Sequence, residues 1–157
     1  MKCVVSITAS SVLAFVAFAA DPPKEDATKD DVKKLQGTWQ VIKWVNDCEK
    51  PAPAEELKGF TFEFKGDKVS LRSDMDPIAK PAKYTLNATK NPKFFDFQME
   101  GTNPLPPLAP GIYKLDGDEL SICLVAVTES DKASIRPTEF KPSKNNVLFV
   151  LKRVKKK

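Results

Sequence analysis

The stretch FTFEFKGDKVSLRS, residues 60–73, alternates strictly: Phe60, Phe62 and Phe64 point one way, Thr61, Glu63 and Lys65 the other. After a turn at Gly66-Asp67, Val69 and Leu71 repeat the pattern against Ser70 and Arg72. A period of two cannot be wound into a helix without scattering its apolar residues around the axis, so this segment predicts a hairpin with one wet face. The same period returns at 83–88, at 94–99, where Phe95, Phe97 and Met99 alternate with Asp96 and Gln98, and on both sides of Asp116-Gly117 in GIYKLDGDELSICLV. With a last run at 146–154 and an opening run from Gly37, the chain offers eight strand candidates joined by turns. Such spacing predicts an antiparallel all-β domain, a sandwich or an up-and-down barrel.

Helix enters only twice. TKDDVKKL, residues 28–35, carries a capping Thr28 or Asp30, acidic residues in its first turn, lysines in its last, and Val32 and Leu35 on one face. PAPAEELKG, residues 51–59, has Pro53 at the start and Gly59 past the end of a single turn. Two further connections, SDMDPIAKP and EGTNPLPPLAPG, are rich in proline and predict loops. The first and last strands are less regular. Trp39 and Val41 share one face while Ile42 and Trp44 share the other, so both faces are covered or a bulge shifts the phase; Val147, Phe149 and Leu151 likewise alternate with apolar Leu148 and Val150. Strands of this kind close a sheet, and here they are the two ends of it.

Residues 1–20 stand apart, with Lys2 as the only charge, an apolar run from Val12 to Ala20, and small residues at Ala17, Ala19 and Ala20. This pattern predicts a secretory signal peptide and a periplasmic or extracellular location, with no stable membrane span after cleavage. Cys3 precedes the apolar run and does not sit where a lipoprotein signal places its cysteine. A charged linker with two prolines, residues 21–28, then leads into a domain over 29–157. In an oxidising compartment Cys48 and Cys123 are a candidate disulfide, with two separate thiols as the alternative. The terminal LKRVKKK, residues 151–157, reads as a solvated basic tail, and no basic stripe elsewhere extends it into a nucleic-acid surface.

The chain has no histidine. Ser-His-Asp catalysis and histidine-bound zinc or haem therefore lose their central group. Cys123 lies in an apolar strand, where burial raises a thiol pKa and disfavours the nucleophilic thiolate. Of the carboxylate pairs, Asp74/Asp76 lacks the glycine and distal glutamate of a calcium loop, Asp116/Asp118 belongs to a turn, and Glu55/Glu56 suits the start of a helix. The six glycines form no phosphate cradle, and Asn87–Thr89 matches a glycosylation acceptor by pattern alone. No catalytic residue, metal ligand or cofactor is expected.

Gly37-Thr38-Trp39 after a short helix, together with Arg153 in the closing VLFVLKR, resembles the pattern of lipocalin-like barrels. LQGTWQVIKWVNDCEKPAPAEELKG, GDKVSL, GIYKLDGDELSICL, RPTEF and VLFVLKR look like the small secreted domain of an uncharacterised family in planctomycete-type bacteria. The resemblance implies a lipocalin-like up-and-down barrel with a short N-terminal helix, export, and a cavity. It implies that Trp39 floors the barrel, with Gly37 before it and Arg153 laid across the indole, or Lys152 if the register differs by one. Phe60, Phe62, Phe64, Tyr84, Phe95, Phe97, Tyr113 and Ile122 are then the residues that line an apolar pocket or fill it. The expected function is non-enzymatic binding of a small apolar or amphipathic ligand; the alternative is a filled barrel that contacts an envelope protein.

Overall fold

In the computed structural model the described residues are 24–46, 50–74, 81–98, 108–126 and 135–155. They hold a twelve-residue helix α1 (Lys24–Leu35), then β1 (Gly37–Val45), a single turn α2 (Ala54–Leu57), and seven more strands: β2 (Thr61–Lys65), β3 (Lys68–Arg72), β4 (Ala82–Asn87), β5 (Lys93–Gln98), β6 (Leu108–Asp116), β7 (Glu119–Val125) and β8 (Asn146–Arg153). Each strand pairs antiparallel with the next, and β8 returns to β1, so the eight strands form a closed barrel. Closure satisfies the backbone groups that an open sheet leaves at its edges. The architecture is the lipocalin-like all-β fold.

The opening strand resolves its mixed phase by a bulge. Val41 opposes Leu151 and Lys43 opposes Val150, so Ile42 has no partner across β8 and is extruded, 47% exposed. The step restores the phase: Trp39, Val41 and Trp44 all face inward, Trp44 opposite Phe149. On β8, Val147, Phe149 and Leu151 face the interior. Leu148 faces out, where it packs with Ile112, Cys123, Phe94 and Phe140 in a second apolar cluster.

That outer cluster is roofed by residues 135–142, which cross the outside of β5 to β8. Arg136 pins the crossing segment: its guanidinium lies 4.0 Å from the centre of the Phe94 ring, pairs with Asp96 at 2.6 Å, and donates to the carbonyl of Gly111 at 2.6 Å. Gly111 is needed where it stands, since a Cβ there would meet the carbonyl oxygen of Cys123 at 2.5 Å.

Two elements differ from the sequence expectation. α1 begins at Lys24, inside the segment expected as a linker, and Thr28 is no cap: its hydroxyl accepts from the N–H of Ala88 on the barrel. β6 begins at Leu108, inside a proline-rich run expected as a loop, because six consecutive positions from Leu108 to Tyr113 pair with β5 and outweigh the local punctuation. Residues 1–20, with the expected signal peptide, lie outside the described residues, as does most of the second proline-rich connection.

Candidate functional site

At the helix end, the Gly37-Thr38-Trp39 motif shows its purpose in geometry. Gly37 adopts φ +112°, a conformation side chains resist, and so turns the chain from the helix into β1. Trp39 is fully buried, and its Nε1–H donates to the carbonyl of Leu35, the last residue of α1, at 2.8 Å. Arg153 lies 4.2 Å from the centre of the Trp39 ring. It donates to the carbonyls of Gln36 at 3.0 Å and of Lys34, and pairs with Asp118 at 3.4 Å. One guanidinium therefore stacks on the indole and satisfies carbonyls that the end of α1 leaves unpaired. Lys152 opposes Gln40 and is exposed, so the stacking partner is Arg153.

The inner face of α1 is fastened by a buried polar cluster. Asp31, 6% exposed, receives Lys93 Nζ at 2.6 Å and the Tyr113 hydroxyl at 2.7 Å on the same oxygen. Burial, followed by the hydrogen bond to Asp31 and its negative charge, raises the Tyr113 pKa well above the ordinary value, so the phenol keeps its proton and donates. Nearby, Gln36 donates to the Tyr84 hydroxyl at 3.1 Å and accepts from the N–H of Gly66 at 2.7 Å. Burial likewise raises the Tyr84 pKa. These groups hold a plug in place. A phenol locked as a donor is no base, and the contacts of the cluster run to α1, to Gln36 just after it and to the turn at Gly66.

Above the plug the interior is occupied by its own side chains. Of the eight candidate lining residues, Phe62, Phe64, Tyr84, Phe95, Tyr113 and Ile122 are at most 4% exposed. Their rings form a continuous chain: Phe62 to Phe64 at 6.4 Å, Phe64 to Tyr84 at 5.2 Å, Tyr84 stacked on Phe95 at 5.8 Å, and Phe95 to Tyr113 at 6.5 Å. Phe60 and Phe97 are only partly buried and pack against this layer, Phe60 with its ring 5.8 Å from Phe62. The structure thus buries six of the eight as packing and leaves Phe60 and Phe97 partly buried beside them.

At the mouth, the end of the barrel away from α1, Trp44 stacks on Phe149 at 6.2 Å, and Phe60 meets both rings edge-on at 5.9 and 6.1 Å. The Trp44 Nε1–H is shut off from solvent and finds no acceptor among the described residues. An amide-like N–H left so costs on the order of 1–3 kcal/mol. Beside the indole lies a groove of about 410 Å³ floored by Pro51, Ala52 and Pro53. Its wall is tied to β1, because the N–H of Ala52 donates to the carbonyl of Trp44 at 2.8 Å.

Other expected site residues stand as follows. Cys123 is a buried free thiol whose Sγ lies 3.8 Å from the carbonyl of Lys141, and burial pushes its pKa up to about 11. Cys48, its candidate disulfide partner, and Asp76 lie outside the described residues. Asp118 does more than shape a turn: the Lys155 ammonium at 3.0 Å, with Arg153 and Lys152 near, holds its carboxyl below the usual range. Among the described residues no group of three or more carboxylates or thiols could hold a metal ion. Asp31 and Arg136 were not among the expected site residues. Lys93 was the available signal for Asp31, being a lysine that shares the inward face of Phe95 and Phe97 and therefore requires a buried partner.

The closed eight-stranded sheet, its helical plug and the tryptophan–arginine floor define a lipocalin-like barrel. No protein-family model matches the chain, and no curated protein or solved structure matches it.

Proposed function

We propose that this chain is an exported, non-enzymatic binding barrel whose ligand sits at the mouth, on Trp44, Phe60 and Phe149, rather than in a deep central cavity. The observation that carries the reading is the aromatic cluster of Trp44, Phe60 and Phe149 beside a groove of about 410 Å³ floored by Pro51, Ala52 and Pro53. A small amphipathic molecule matches it, with an apolar body for the rings and a polar group for Lys50 and Glu56 at the edge of the groove. The packed layer from Phe62 to Tyr113 stops it from going deeper. Export rests on the pattern of residues 1–20, and no helix among the described residues is long and apolar enough to cross a membrane.

Displacement of 1-anilinonaphthalene-8-sulfonate tests the reading. The dye is expected to bind the wild-type protein saturably and to bind Trp44→Ala at least about ten-fold more weakly. Equal binding to both proteins, or none to either, contradicts a seat at the mouth. Mass measurement of the secreted protein tests export, with cleavage after Ala20 as the expected result.

A second reading, a filled barrel that contacts an envelope protein, is favoured by one observation. The β1 bulge pushes Ile42 into solvent beside an outer groove lined by Val41, Ala54 and Leu57. Under this reading Ile42→Glu abolishes recovery of a cross-linked envelope partner, whereas Trp44→Ala leaves it intact.

A further inference from the structure

We propose that the outer face of β2, β3 and β4 binds an anionic polysaccharide along a row of three lysines. The proposal goes beyond the reading above, since this face lies on the outside of the barrel and shares no residue with the mouth. The row is a product of register. Lys65 opposes Lys68 across the β2–β3 hairpin, and Lys68 opposes Lys83 across β3 and β4. Phe64, Val69 and Tyr84 beside them are buried, so the pleat turns all three lysines outward, where they are exposed.

Side chains at directly opposed positions stand about 5 Å apart, and like charges so placed destabilise a sheet. The face does not balance them. Glu63 pairs with Arg72 at 3.0 Å, and none of the three lysines makes an ion pair among the described residues. Lys65, Lys68, Arg72 and Lys83 thus stand against Glu63 on the face and Asp67 in its turn, which leaves a positive surplus. An anion laid along the row offsets a repulsion that the fold itself leaves in place.

The surroundings select the partner. The Arg72 guanidinium is held by Glu63, so the free donors are ammonium groups, which read charge and spacing rather than the planar shape of one carboxylate. Strand spacing sets the three along a line about 10 Å long, which suits a chain of repeated charges better than one small ion. The exposed large apolar residues, Ile42, Ile135 and Val154, all lie off these strands, so a bilayer finds no anchor here. No outward position of β2, β3 or β4 is aromatic, so nucleic-acid bases find nothing to stack on. Beside the row, Glu63, Ser70 and Pro81 complete a groove of about 240 Å³ with Lys65, Lys68 and Arg72. It has room for one sulfate or phosphate ester at the lysines, while Ser70 and Glu63 pair with sugar hydroxyls.

Isothermal titration calorimetry of the protein with dextran sulfate and with uncharged dextran tests the assignment. Dextran sulfate is expected to bind saturably, and dextran not at all. Raising sodium chloride from about 50 to about 200 mM is expected to weaken binding about twenty-fold, as about three charge contacts require. Lys68→Thr removes the lysine that both neighbours oppose. It is expected to weaken binding about ten-fold while the urea midpoint stays the same or rises, because a repulsion is lost with the charge. A merely structural lysine would lower the midpoint as well. Lys83→Thr is expected to act in the same way, whereas Lys114→Thr, at an exposed position of β6 that pairs with none of these strands, is expected to change neither quantity. Absence of saturable binding, or equal affinity in Lys68→Thr, Lys83→Thr and the wild type, overturns the row as a site. Tighter binding of an oligothymidylate or of phosphatidylglycerol vesicles, lost in the same variants, overturns the polysaccharide as its occupant. Trp44→Ala is expected to leave the affinity for dextran sulfate unchanged, so failure at the row and failure at the mouth are read separately.

Discussion

Trp39 and Arg153 form a unit in which each group does two things. The indole fills the floor of the barrel and donates to Leu35, while the guanidinium covers the indole and takes the last carbonyls of α1. Arg153→Met keeps most of the aliphatic packing and removes the fork. It is expected to cost about 2–4 kcal/mol, the sum of a stacked cation and charged hydrogen bonds, measured by urea denaturation. Arg153→Lys restores the charge but not the planar fork, so it is expected to recover less than half of the loss. Tyr113→Phe is a cleaner deletion still. It leaves Asp31 buried with Lys93 as its remaining strong partner and is expected to cost about 1–3 kcal/mol. In the core, Phe95→Ala opens a hole between Tyr84, Phe64 and Tyr113 and is expected to cost about 3–5 kcal/mol.

At the scale of elements, the strands were readable because each shows its face: Phe62 and Phe64, Phe95 and Phe97, Leu120 and Ile122 follow the pleat. The hairpin at Gly66-Asp67 was readable from turn chemistry, and the one expected at Asp116-Gly117 turns one residue later, at Gly117-Asp118. What local pattern could not show is where long-range contact overrides it. α1 extends past its expected start, fastened by Thr28 to Ala88 and Asp31 to Lys93, partners some sixty residues distant that no window of sequence contains. β6 starts among prolines because β5 pairs with it. The aromatic mouth was partly legible: Phe60 stood among the candidate lining residues, but Trp44 did not, because its inward orientation depends on the bulge at Ile42. The crossing segment makes a separate prediction. Arg136→Ala removes the pin over Phe94 and Asp96, and Cys123, buried beneath that segment, is expected to react with a thiol reagent at least about ten-fold faster. An unchanged rate would show that the segment is held by its apolar contacts alone.

For the molecule as a whole, closure joins eight modest strands into one barrel, plugged by α1 at one end and bordered by the rings of Trp44, Phe60 and Phe149 at the other. Alkaline pH attacks the plugged end. Burial holds the pKa values of Tyr113 and Tyr84 above their ordinary 10.0, so above that pH the unfolded chain gives up protons that the native protein retains. Stability from this source is therefore fully present below about pH 10 and falls as the pH rises beyond it. Urea midpoints at pH 8 and pH 11 are expected to differ, and Tyr113→Phe is expected to shrink the difference. The central claim, a filled barrel with its seat at the mouth, is tested most directly by the two indole N–H resonances in a ¹⁵N correlation spectrum recorded while the anilinonaphthalene dye is added. The Trp44 resonance is expected to move with added ligand, while that of Trp39, bonded to Leu35, stays fixed and resists hydrogen exchange. Movement of the Trp39 resonance with that of Trp44 fixed would place the ligand at the plugged end and contradict the account.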